Sequence, residues 1–186
     1  MTKGLVLAAV LFGLPVAVSA ATGIVVGDTY ISPINPTINF GNATALNIGG
    51  GASALIQVDL SSLPTGLLAS NIRRATLTVF VNKVFIAGGL DFSQVTTPWS
   101  EGTVTFNTQP TIRGTPFINN VAVNTSATFL TVDITDLVQQ WVTGVSPNFG
   151  VEITAAVAAP GTVVNLDSKE STSTSHSAFA DITIQF

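Results

Sequence analysis

The stretch Pro98-Trp99-Ser100-Glu101-Gly102-Thr103-Val104-Thr105-Phe106-Asn107-Thr108-Gln109-Pro110 orders the reading of this chain. A large aromatic precedes a tight polar turn, and alternation follows, with Val104 and Phe106 on one face and Thr103, Thr105 and Asn107 on the other. That period-2 pattern predicts a strand fenced by Pro98 and Pro110, since proline removes a backbone donor and restricts its neighbour. Trp99 is expected to fold back over the strand, and Glu101 to accept backbone N–H groups that the turn leaves open.

Upstream, the same period recurs. Ile24-Val25-Val26 leads into Asp28-Thr29-Tyr30-Ile31, and Ser32-Pro33-Ile34-Asn35-Pro36 reads as a loop. Leu46-Asn47-Ile48 is a short strand before Gly49-Gly50-Gly51. No Lys-Ser/Thr follows those glycines, so they predict a hairpin loop, not a phosphate cradle. Leu55–Leu60 sets Ile56, Val58 and Leu60 inward, with Gln57 and Asp59 on the other face. Arg73–Val81 is the longest predicted strand, extended by Val84–Ile86 past a bulge near Asn82-Lys83. Gly88-Gly89 turns the chain into Leu90–Val95.

Downstream, Phe129–Val132 is a strand whose period changes. Ile134, Leu137, Val138 and Trp141 recur at i, i+3, i+4 and i+7, which predicts a short helix that Asp133 or Thr135 can cap and Gly144 and Pro147 stop. Gly150–Val157, Val163–Leu166 and Ile182–Phe186 complete the strand set. Nine or ten short strands with turn signals between them and one helix define an all-β sandwich.

Residues 1–20 are set apart from that domain. Lys3, an apolar run from Leu5 to Val18 and Val18-Ser19-Ala20 resemble a cleavable secretory signal, with Ala21 as the expected mature N-terminus. The run falls short of the about 20 apolar residues a membrane helix needs. The expected product is secreted, extracellular or held at the cell surface, and is not an integral membrane protein. An outer-membrane barrel would need aromatic girdles, which one Tyr and two Trp cannot furnish.

Removing Lys3 with the leader leaves five basic residues against ten acidic ones, a net charge of −5. That balance argues against nucleic acid, whose binding needs clustered Lys and Arg. The chain has no cysteine, which excludes disulfides, thiolate metal sites and a cysteine nucleophile.

In order along residues 28–186, Asp28-Thr29-Tyr30, Phe40-Gly41, Val58-Asp59-Leu60-Ser61-Ser62-Leu63-Pro64, Ala75-Thr76-Leu77, Trp99–Asn107, Val132–Val138 with Trp141, and Ser168-Lys169-Glu170 resemble the DNRLRE domain family. That family is also called disaggregatase-related, and part of it is classed as carbohydrate-binding module family 96. The resemblance implies a jelly-roll β-sandwich acting as a non-catalytic extracellular module, with some members implicated in binding polysaccharides such as alginate. The family often carries Arg or Lys in the strand that here reads Ala54-Leu55-Ile56-Gln57-Val58, without a cation.

Candidate chemistry is sparse. His176 falls in a Ser/Thr-rich loop with no Ser–His–acid frame and reads as a solvated side chain. Glu101, Asp133, Asp136, Asp167 and Glu170 are the carboxylates a glycosidase would draw on, yet they occupy turns, caps or family-pattern positions. Trp99, Trp141, Tyr30 and Phe106 read first as packing residues. The ligand-binding candidates are Tyr30 and the basic residues Arg73, Arg74 and Lys83. A sandwich can seat a structural calcium ion on Asp and Asn oxygens, with Asp28, Asn35, Asp91 and Asp133 available and no EF-hand spacing. Two functions are compatible with these features: binding of an extracellular or cell-wall polysaccharide, or self-association of a structural surface protein through strand edges.

Overall fold

The computed structural model describes residues 18–172 and 176–185, so most of the expected leader, and Phe186, lie outside the described residues. Within them are ten strands and one α-helix: β1 (Val18–Ile31), β2 (Ala45–Ile48), β3 (Ser53–Asp59), β4 (Ile72–Ile86), β5 (Gly88–Gln94), β6 (Ile118–Val123), β7 (Thr128–Asp133), α1 (Thr135–Val142), β8 (Val151–Ala155), β9 (Val163–Asp167) and β10 (Phe179–Gln185). They form the all-β sandwich expected from the strand and turn pattern.

All the pairings are antiparallel, in the order β2-β9-β4-β10-β1-β3-β8-β5-β6 with β7 on β4. Two long strands let this ladder curl around a core. The first half of β1 pairs with β10 and the second half with β3, and the register shifts between Val25 and Gly27 where it changes partner. Val81 of β4 pairs with both Thr128 and Leu166, so β7 holds one edge while β10 and then β9 share the other. The predicted irregularity at Asn82-Lys83 is present as a register shift between Val81 and Lys83. Extra residues in one strand bend and twist it, as this change of partner requires.

The main core takes Ile56 and Val58 of β3, Leu77 and Val79 of β4, Phe92 of β5, Leu166 of β9, Ile182 and Ile184 of β10, and Leu137, Val138 and Trp141 of α1. The helix starts later than its apolar period suggests. Asp133 Oδ1 accepts from both the backbone N–H (2.9 Å) and the hydroxyl (2.6 Å) of Thr135, closing the turn into α1. Thr135 Oγ1 in turn accepts from the Ala75 N–H at 2.9 Å, pinning the helix start to β4.

One expectation is corrected. Residues 103–107 are not a strand: turns cover residues 101–103 and a 3₁₀ turn spans Phe106–Thr108. The alternation is real but serves a lid. Val104, with Trp99, Phe106, Ile112 and Phe149, packs on Ile31, Leu55 and Val95 in a second apolar cluster. Leu55 projects from β3 opposite to Ile56, so this cover buries the outer face of β3. Trp99 is held there by its Nε1–H donating to the Phe149 carbonyl at 2.8 Å. The triple glycine makes the expected hairpin turn, closed by the reciprocal Gly49–Ala52 backbone pair, beyond which the flanking strands part. β2 pairs with β9 while β3 pairs with β1 and β8, so the turn redirects the chain between partners. All three glycines have positive φ, a region that carries little penalty without a Cβ.

Candidate functional site

A groove of about 440 Å³ opens beside the N-terminus of α1. Its walls include Arg73 from β4, Gln94 from the end of β5, Arg113 and Phe117 from the segment after β5, and Asp133, Asp136 and Gln140 from the β7–α1 corner. Sequence-distant residues meet here because residues 112–117 run back along β5. The Arg113 N–H donates to the Gln94 carbonyl at 2.9 Å, Phe117 N–H to the Phe92 carbonyl at 2.9 Å, and Ile112 bridges to Val95. From the other side, the Gln139 amide donates to the Ile72 carbonyl at 3.0 Å and fixes α1 beside Arg73.

The polar groups are partly committed and partly free. Gln94 is buried, and its Nε2 donates to Ser146 Oγ at 2.9 Å while Oε1 has no partner. Gln94 therefore keeps a buried acceptor without a donor, which costs stability and is closed to solvent. Thr135's hydroxyl and N–H hold the Asp133 carboxyl below the usual carboxylate range against a small opposing effect of burial, with Arg74 adding a little. Two guanidinium and two carboxylate groups cancel in charge. A phenyl ring, forked guanidiniums and amides can stack on a sugar ring and hydrogen-bond adjacent hydroxyls. A larger hollow of about 540 Å³ lies against Leu63, Leu67 and Trp141, but Trp141 is only 8% exposed, so its ring offers no open platform.

The four binding candidates do not converge. Tyr30 stacks on Phe40 with ring centroids 4.1 Å apart and is half-buried. Arg73 and Arg74 are adjacent on β4 and so point to opposite faces, with only Arg73 in the groove. Lys83 lies toward the far end of the same strand, over the exposed Phe85 ring at 4.8 Å. Arg113, Gln94 and Phe117 were not singled out by sequence. Nothing in their spacing marks them, because backbone pairing to β5 alone brings them together.

Asp91, another candidate carboxylate, serves the fold. Buried, it accepts from Asn120 N–H (2.7 Å) and Val157 N–H (3.0 Å). His176 is not a freely solvated loop side chain. It stacks on Phe80 with centroids 3.9 Å apart, and its Nδ1 lies 3.4 Å from Asp167 Oδ2. The nearby Ser168 Oγ is committed elsewhere, donating to the Ala43 carbonyl.

Residues that carried the family resemblance meet at a second place. Asp28, Glu101 and Glu170 each bring a carboxylate oxygen within 4.8 Å of the others. Glu101 Oε1 accepts the Asp28 N–H at 2.8 Å, and Asp28 Oδ2 accepts the Lys169 N–H at 2.8 Å. Lys169 Nζ pairs with Glu101 at 2.9 Å and also with Glu170. Burial pushes the Asp28 carboxyl up to about 7, helped by the Glu170 charge and opposed by the Lys169 N–H. Burial alone would lower the Lys169 pKa, but its bonds to Glu170 and Glu101 raise it.

The class these features define is an antiparallel β-sandwich with an open, polar groove of balanced charge. The chain belongs to carbohydrate-binding module family 96, whose sequence model matches residues 19–179. No curated protein sequence matches it.

Proposed function

We propose that the chain is a secreted, non-catalytic module that binds a neutral extracellular or cell-wall polysaccharide along the Arg73–Arg113 groove. The observation that carries this reading is the zero net charge of a groove that still offers a ring, two guanidiniums and the Gln140 amide. Membership in a family of carbohydrate-binding modules supports the ligand class and the absence of catalysis. A polyanion would meet Asp133 and Asp136, whereas a hydroxyl-rich chain can donate to carboxylates and accept from guanidiniums. Export by cleavage after Ala20 would remove Val18–Ala20, which pair with residues 183–185 of β10, and leave β1 starting at the Ala21–Ile182 pair.

Affinity electrophoresis against neutral glucans, mannans and xylans, with alginate alongside, tests the reading. Retardation by a neutral glycan should be little affected by salt and be lost in Arg73→Ala/Arg113→Ala, both exposed positions. Unchanged retardation in the double variant, or retardation by alginate alone that salt abolishes, would overturn it. Release of new reducing ends would overturn the non-catalytic part.

The self-association reading keeps one specific support. Among the described residues β7 pairs only with β4, leaving an open edge beside Phe129, which is 52% exposed. Concentration-dependent light scattering without glycan, suppressed by Thr131→Pro on the exposed face of β7, tests it.

A further inference from the structure

We propose that Asp28, Glu101 and Glu170 form a binding site for a divalent cation, calcium in particular, beside the turn that follows Trp99. Their carboxylate oxygens lie within 4.8 Å of one another. A cluster of acids alone would not argue for an ion, because lysines and protons also quiet such clusters. The second observation is what is left unpaired. Asp28 is only 1% exposed, yet its Oδ1 has no hydrogen-bond partner, and Glu170 Oε2 in the same cluster is buried without one. Two buried carboxylate oxygens without a donor in one cluster are what a bound cation would satisfy.

Charge gives the valence. Once Lys169 swings out, three carboxylates face the ion, more negative charge than a monovalent cation balances. The donors are all oxygen, with no imidazole or thiolate in the cluster, which selects hard ions. The three carboxylates come from β1, from the turn after Trp99 and from the segment after β9, so their geometry is irregular. Calcium tolerates such an irregular oxygen shell, whereas magnesium demands near-octahedral order. Lys169 is the built-in competitor. Its side chain is about a quarter exposed, long enough to move outward when an ion takes its place.

The site shares no residue with the Arg73–Arg113 groove, so its failure and the failure of the glycan reading are separately visible. Trp99 supplies the probe, because its ring edge and the Glu101 Cβ both lie within 4 Å of the Cβ position at Gly27, the residue before Asp28. The full chain, stripped with a chelator, is titrated with terbium while tryptophan is excited. Sensitised emission should saturate at one ion per chain and be displaced by calcium, and calcium should raise the thermal midpoint. Glu170→Gln should weaken terbium binding at least tenfold, Asp28→Asn more, and Lys169→Met should tighten it. Asp181→Asn, at an exposed position of β10, should leave binding unchanged. Emission that never saturates, or an affinity equal in wild type and Glu170→Gln, would overturn the proposal. Because Glu170 is only half-buried, its variant stays informative if Asp28→Asn does not fold.

Discussion

Replacing Asn39 by alanine should unfasten the cover over β3 and cost a measurable part of the stability. The Asn39 amide nitrogen donates to the Glu101 carbonyl at 2.6 Å and to the Val104 carbonyl at 2.7 Å. Its oxygen accepts the Gly41 N–H at 3.2 Å. One side chain therefore satisfies three backbone groups of two segments that are some sixty residues apart in sequence. At roughly 0.5–1.5 kcal/mol net per bond, alanine should cost about 3 kcal/mol, because the orphaned carbonyls are partly buried. In a domain of this size that lowers the thermal midpoint by roughly 6–12 °C. Far-UV circular dichroism gives the midpoint. Acrylamide quenching gives the locality, since Trp141 is buried in the main core and only half-buried Trp99 sits on the cover. The expected result is a destabilised protein in which one indole becomes more quenchable before global unfolding. A midpoint within about 2 °C of wild type, with unchanged quenching, would refute the claim that Asn39 ties the cover down.

Two further outcomes follow from close contacts and buried charge. Gly41→Ala should destabilise by about 1–3 kcal/mol in urea titrations, because a Cβ there would lie 2.3 Å from the Glu101 carbonyl oxygen, a backbone atom that cannot rotate away. Gly102→Ala, with nothing within 4 Å, should stay within about 0.5 kcal/mol. Glu152 gives a pH signature: burial raises its pKa above 4.5, with the Ser53 hydroxyl opposing, so the folded state holds its proton more tightly than the unfolded chain. Its contribution is fully present below the unfolded pKa and is lost as pH rises through the raised folded value. Glu152→Gln should remove that fall, so that the variant gains on wild type with rising pH; parallel pH–stability curves for the two proteins would refute this.

The sandwich was legible because strand alternation is local. Ile182 and Ile184 report their facing directly, and the i, i+3, i+4, i+7 set ending at Trp141 reports α1. The lid at residues 98–110 was misread for a physical reason. Val104 and Phe106 alternate as a strand would, but the apolar surface they cover belongs to Leu55, whose own strand was read as apolar on one face alone. A strand buried on both faces does not alternate, and β4 shows the same effect: Thr76, Thr78 and Phe80 are as buried as their neighbours. The groove was illegible because Arg113 and Phe117 reach it through backbone pairing with β5, which leaves no side-chain pattern. The Asp28–Glu101–Glu170 cluster was half legible. Its members lie in the segments that carried the family resemblance, while their convergence depends on how β1 and the cover fold together.

Net charge was the least transferable part of the sequence reading. A value of −5 suggests a surface field that repels anions, but that inference assumes that the carboxylates face solvent. Asp91 is buried against two backbone N–H groups and Asp167 against the Asn82 amide. Asp28, Glu101 and Glu170 are gathered around one ammonium. What a ligand meets is therefore the local balance, two guanidiniums against Asp133 and Asp136 in the groove. Tipping that balance to one net positive charge, by Asp136→Asn at the exposed first turn of α1, should shift preference toward uronate-containing chains. If binding to neutral and acidic glycans were unaltered by that single change, the groove would not be the surface that sugars touch.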